Sequence, residues 1–251
     1  MMDSARSLDV GTELPMRLET LPLIVCLGLT AYPEIVRAAE ARATGKKLIE
    51  FGWDEPDTAF LREHIEEMER SPFDGCVFHA HYTKPNGGKG DFMWECWDTR
   101  AFKAEELQTA LVDLKTTRFR RFTHNFLRFN ATPGKVDWFD DFSAITNNAR
   151  LAAWLAREGK CKGVLFDIEQ YVFPLFTYRK QRDAANKSWD EYAAQARKRG
   201  REVMNAFQDG YADLTIVWIY SETPRWWSPE GKPIKLPQAY DAAVRRARGA
   251  P

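Results

Sequence analysis

GVLFDIEQY, residues 163–171, decides how the chain is read. Gly163 to Phe166 form a short apolar run with the character of a buried strand. Two carboxylates follow, Asp167 and Glu169, with one residue between them, and then Gln170 and Tyr171. In a strand, residues i and i+2 point to the same face. The spacing therefore predicts that Asp167 and Glu169 project together from the end of one strand. Two carboxylates that close repel, and one is expected to hold a proton near neutral pH. A protonated acid beside an ionised partner is the pair that glycosidic cleavage uses. The competing reading has Asp167 cap the next loop and Glu169 pair with an arginine such as Arg128.

Working outward, apolar runs alternate with helical periodicity. KKLIEFGW (46–53) reads as a strand, and Asp57 as the N-cap of a helix bearing Leu61, Ile65 and Met68 on one face. FDGCVFHAHY (73–82) is the second strand, followed by a long flexible loop, TKPNGGKGDFMWECWDTRAF (83–102). The next helix carries Leu107, Leu111 and Leu114, and RFTHNFLRFN (121–130) is the third strand. A helix over about 140–158 stops at Gly159. The opening stretch is the fourth strand. Ser188 and Glu191 form a capping box for a helix with Trp189, Tyr192, Ala196 and Val203, and DLTIVWIYS (213–221) is the fifth strand.

This alternation predicts an α/β fold of parallel βαβ units. No Gly-rich dinucleotide fingerprint follows the first strand, and GGKGD (87–91) lacks the Lys-Ser/Thr pair of a phosphate loop. Polar and aromatic residues gather at the C-terminal ends of the strands, which favours a (β/α) TIM-barrel-like domain over 45–225. A closed barrel needs eight strands, so the expected barrel is incomplete, with about five βα units and the C-terminal units missing. Residues 226–251 read as an irregular tail with a short helix over 239–247.

Composition narrows the function. The 251 residues carry 36 Lys+Arg and 36 Asp+Glu, and this zero net charge argues against a general nucleic-acid binder. Cys26, Cys76, Cys96 and Cys161 match no zinc or disulfide spacing and are expected to be separate buried thiols. LPLIVCLGLTA (21–31) is too short to span a bilayer, so no integral membrane segment is expected. Residues 1–44 admit two readings: an N-terminal extension, or a signal-like segment starting at Met16. The second would make the protein secreted or periplasmic, the first cytoplasmic. No pattern assigns an oligomeric state.

Other strand ends suit a sugar cleft. Trp53, Asp54 and Glu55 end the first strand, Arg128 and Asn130 share a face at the end of the third, and Tyr220 and Glu222 end the fifth. With Tyr171, these are the expected substrate-binding groups. Trp94, Trp97, Trp226 and Trp227 lie in loops, where indoles can stack on sugar rings. His79 and His81 form H-x-H, a metal signature on barrel strands, and with Asp167 or Glu169 they offer an alternative metal-dependent hydrolase. The favoured reading needs neither metal nor cofactor.

GVLFDIEQY resembles the fourth-strand D-x-E motif of chitinase-like (family 18 type) glycoside hydrolases, with Leu165 where that family has its first Asp. The resemblance implies that Glu169 is the general acid and Asp167 its partner. KKLIEFGWDEPDTAFLREHIEEMERSPFDGCVF (46–78) together with GVLFDIEQY resembles an uncharacterised bacterial family with glycoside-hydrolase-like (β/α) barrels. That likeness spans most of 46–221, does not extend to the last thirty residues, and implies the fold more firmly than an activity on carbohydrate. An inactive or truncated sugar-binding barrel is the alternative from another class.

Overall fold

The computed structural model describes residues 45–52, 54–131, 134–171 and 173–219. Among them, five strands form one parallel sheet that curls into a half-barrel. They are β1 (Ile49–Glu50), β2 (Gly75–Phe78), β5 (Phe126–Asn130), β6 (Gly163–Asp167) and β7 (Thr215–Ile219), adjacent in that order. Helices α1 (Thr58–Met68), α3 (Gln108–Thr116), α4 (Ser143–Glu158) and α5 (Trp189–Gly210) alternate with them. Between β2 and α3 lie β3 (His81–Thr83), β4 (Lys89–Asp91) and the single turn α2 (Phe92–Glu95).

Local chemistry accounts for the helix ends. The Asp57 side chain accepts the Phe60 N–H at 2.7 Å, opening α1. Ser188 and Glu191 close a reciprocal capping box at the start of α5. Gly159 follows α4, and its N–H donates to the Leu155 carbonyl at 2.9 Å. Leu61 and Ile65 are buried, and Met68 packs against the same core.

The sheet is apolar on both faces, which is why GCVF, FLRFN and GVLFD read as nearly continuous hydrophobic runs. Cys76, Phe78, Leu127, Phe129, Val164 and Phe166 join the main core, together with Phe207 of α5 and Ala149 and Ala153 of α4. Val77, Phe126 and Leu165 form a second cluster with Ile49, Val217 and Ile219 on the opposite, concave face. Arg128 and Asn130 follow Phe126 on that face, and Asp167 follows Leu165, so the concave floor turns polar at the C-terminal rim.

Three expectations are corrected. The first strand is two residues long instead of spanning 46–53. The second ends at Phe78, because the His79 N–H leaves the ladder to donate to the Pro56 carbonyl at 3.1 Å. The expected flexible loop at 83–102 contains instead a hairpin, β3 pairing antiparallel with β4, followed by α2. Residues 1–44 and the tail 226–251, with Cys26, Trp226 and Trp227, lie outside the described residues. No helix among the described residues is long and apolar enough to cross a membrane. Cys76, Cys96 and Cys161 are buried and unpaired; burial pushes the Cys161 thiol up to about 12.

Candidate functional site

Parallel strands put all their C-terminal ends on one edge. The register aligns Asn130 with Asp167, and Phe78 with Leu127, so His79 leaves β2 beside Arg128. The rim is therefore assembled from segments following β1, β2, β5 and β6.

Arg128 is its hub. The side chain is buried, 6 % exposed, and makes four hydrogen bonds to protein groups among the described residues. Nη1 donates to Glu55 Oε1, Nη2 to Asp167 Oδ2 and to the Tyr171 hydroxyl (2.7 Å), and Nε to Asn130 Oδ1 (3.0 Å). A planar guanidinium with five fixed N–H groups can hold such a fan, which an ammonium cannot. Asp167 is fully buried. Besides Arg128, it receives the Glu169 backbone N–H on Oδ1 at 2.8 Å. The Tyr171 hydroxyl stands 3.0 Å from Asp167 Oδ2 and 2.8 Å from Glu169 Oε2. A phenol carries one proton, so the two carboxylates share a single hydroxyl donor.

The two carboxylates thus meet by a route other than the strand pleat. β6 ends at Asp167, and Glu169 lies past the strand in the following turn. That turn is closed by the Asp167 side chain and brings Glu169 back to the same hydroxyl. The arginine expected to compete for Glu169 holds Asp167 instead. Glu169 is half-buried at the mouth. The Trp94 ring, 41 % exposed, meets Tyr171 edge-on at 5.0 Å between centroids.

Glu55, not the exposed Asp54, enters the centre from the first strand's end. Burial raises its carboxyl above the ordinary glutamate range; Arg128 opposes that, and Asp167 and Glu50 add to it. Asn130 is fully buried, and its Nδ2 has no partner among the described residues. Such an orphaned donor is costly unless a water or a bound group accepts from it. Trp97, one of the loop indoles for which simple packing competes with sugar stacking, is a core residue, 2 % exposed and packed on Phe129, Phe142 and Phe166. The α2 turn points it inward and leaves Trp94 outside. Trp53, Tyr220 and Glu222 lie outside the described residues.

His79 and His81 do not share a strand. His81 starts β3, and the carboxylate that joins them is Asp91 of β4 instead of Asp167 or Glu169. An apolar groove of about 460 Å³, lined by Trp97, Phe166, Val203, Met204 and Trp218, draws on the helix-facing residues of the sheet and gathers no carboxylates. No protein-family model matches the chain, nor does any curated protein or solved structure.

Proposed function

We propose that the rim is a carbohydrate site on an incomplete TIM-barrel-like scaffold, acting as a glycoside hydrolase with Glu169 as general acid. Asp167 is the positioning partner. The observation that carries this assignment is the contrast between the two carboxylates. Asp167 is sealed and held by Arg128, so it cannot approach a glycosidic oxygen. Glu169 stands at the mouth, tied to Asp167 through one phenol and flanked by an exposed indole. General acids need both reach and a fixed proton path. Trp94 offers a flat face to a sugar ring. Arg128 acts here by fixing Asp167 and Tyr171 and does not itself grip substrate.

The test combines a panel of aryl glycosides with direct measurement of oligosaccharide binding. Glu169→Gln should lower turnover by about 10²–10⁴-fold while leaving the dissociation constant within a few-fold. Binding without turnover in the native protein would instead make the rim a non-catalytic sugar site. Neither binding nor turnover across the panel would end the proposal.

A further inference from the structure

The hairpin brings a second set of groups to the rim. One donor atom each from His79, His81 and Asp91 lies within 4.8 Å of the others. The fold fixes all three. His81 pairs directly with Asp91 across β3 and β4. The backbone of His79 bridges in parallel to Asp57. The two imidazoles meet edge-on at 5.1 Å between centroids.

The hydrogen bonds leave acceptor atoms of this cluster uncommitted among the described residues. Asp91 accepts the Met93 N–H on Oδ1 at 3.0 Å, keeping its other oxygen. The His79 ring makes no hydrogen bond to another described residue. His81 is the informative group. Its Nδ1 faces the Gly90 carbonyl oxygen at 3.2 Å, and its Nε2 faces Asp57 Oδ2 at 3.3 Å. A neutral imidazole has one N–H and satisfies one oxygen only. With Nδ1–H on Gly90, the Nε2 lone pair is turned toward a carboxylate, a contact that either a second ring proton or a metal ion on Nε2 relieves.

We propose that His79, His81 and Asp91 bind a divalent transition-metal ion of the zinc class. Two imidazoles and one carboxylate are a borderline-soft donor set that suits Zn²⁺ and its neighbours, whereas Ca²⁺ and Mg²⁺ require oxygen cages. Tetrahedral coordination at about 2.0–2.2 Å would draw the donors to roughly 3.3–3.6 Å of one another, a small closure of the hairpin. Three protein ligands leave one position open to water or a bound hydroxyl. No cysteine is among the three clustered ligands. The assignment stands independently of the sugar-cleaving reading.

The experiment uses the full chain, stripped with chelator and titrated with Zn²⁺ by calorimetry and with Co²⁺ by visible absorption. One equivalent is expected, with Co²⁺ bands of a four-coordinate N/O site and at least tenfold preference over Mg²⁺ and Ca²⁺. His79→Ala and Asp91→Asn should each weaken Zn²⁺ binding by about tenfold or more. Asp91→Asn keeps the shape of the hairpin, so it decides the matter if His79→Ala fails to fold by circular dichroism. Substoichiometric binding, binding unchanged in Asp91→Asn, or equal affinity for Mg²⁺ would overturn the proposal.

Discussion

Arg128 of β5 and Asp167 of β6 form a buried ion pair across adjacent strands, 39 positions apart in the chain. The same guanidinium holds Glu55 from the first strand's end, so one side chain ties three segments of the rim together. Two buried carboxylates depend on one cation.

Arg128→Met should therefore cost about 3–5 kcal/mol in urea unfolding, because it strands two buried acids without a partner. Arg128→Lys should recover only part of this, since an ammonium cannot reach Glu55, Asp167, Tyr171 and Asn130 at once. A loss under 1 kcal/mol for the methionine variant would mean that water reaches these carboxylates freely.

Glu55 sets a pH dependence. Its folded-state carboxyl titrates above the unfolded value of about 4.3, so between those two points the folded chain binds more protons than the unfolded one. Its contribution is fully present below that unfolded value and is lost as pH rises through the folded one. Unfolding free energies measured from pH 4 to 7 should fall more steeply with pH in the native protein than in Glu55→Gln. Parallel curves would contradict the assignment.

Asn148 of α4 holds the segment that follows α2. It accepts the Phe102 N–H at 2.9 Å and donates to the Cys96 and Arg100 carbonyls at 2.9 and 2.8 Å. Asn148→Ala leaves three buried or half-buried backbone groups unpaired and should destabilise by about 2–4 kcal/mol. Amide exchange at Phe102 is the local readout and should lose most of its protection.

Gly163 opens the strand that carries the site. A Cβ there would meet the Thr215 carbonyl oxygen at 1.8 Å, against the rigid backbone of β7. Gly163→Ala should cost at least about 1–3 kcal/mol and loosen β7, readable as faster amide exchange over Thr215–Ile219.

The order of strands and helices was legible because its signals are local. Asp57, the Ser188–Glu191 box and the Leu61–Ile65 stripe each act within a few residues. Arg128, Asn130 and Asp167 were also legible as polar residues in short, otherwise apolar strands, with Tyr171 four positions past the second of them. The hairpin was not. β4 is Lys-Gly-Asp, with no apolar alternation, and it exists only because β3 lies opposite. Asp91 was lost with it. Glu55 was overshadowed by Asp54: β1 ends at Glu50, so alternation from the strand no longer says which of two neighbouring acids turns inward. Which loop indole packs and which stays outside was not legible, because only the single turn of α2 separates Trp94 from Trp97.

The Asn148 anchor works alongside Arg100, whose guanidinium sits 4.4 Å from the Tyr82 ring centroid and 4.1 Å from that of Phe102. Together they set the arm bearing Trp94, His81 and Asp91 before anything arrives. A visiting molecule meets a finished surface and pays little ordering entropy on docking. Capture of a sugar at this edge should then run close to the pace of encounter, with discrimination exercised mainly by shape at the moment of contact.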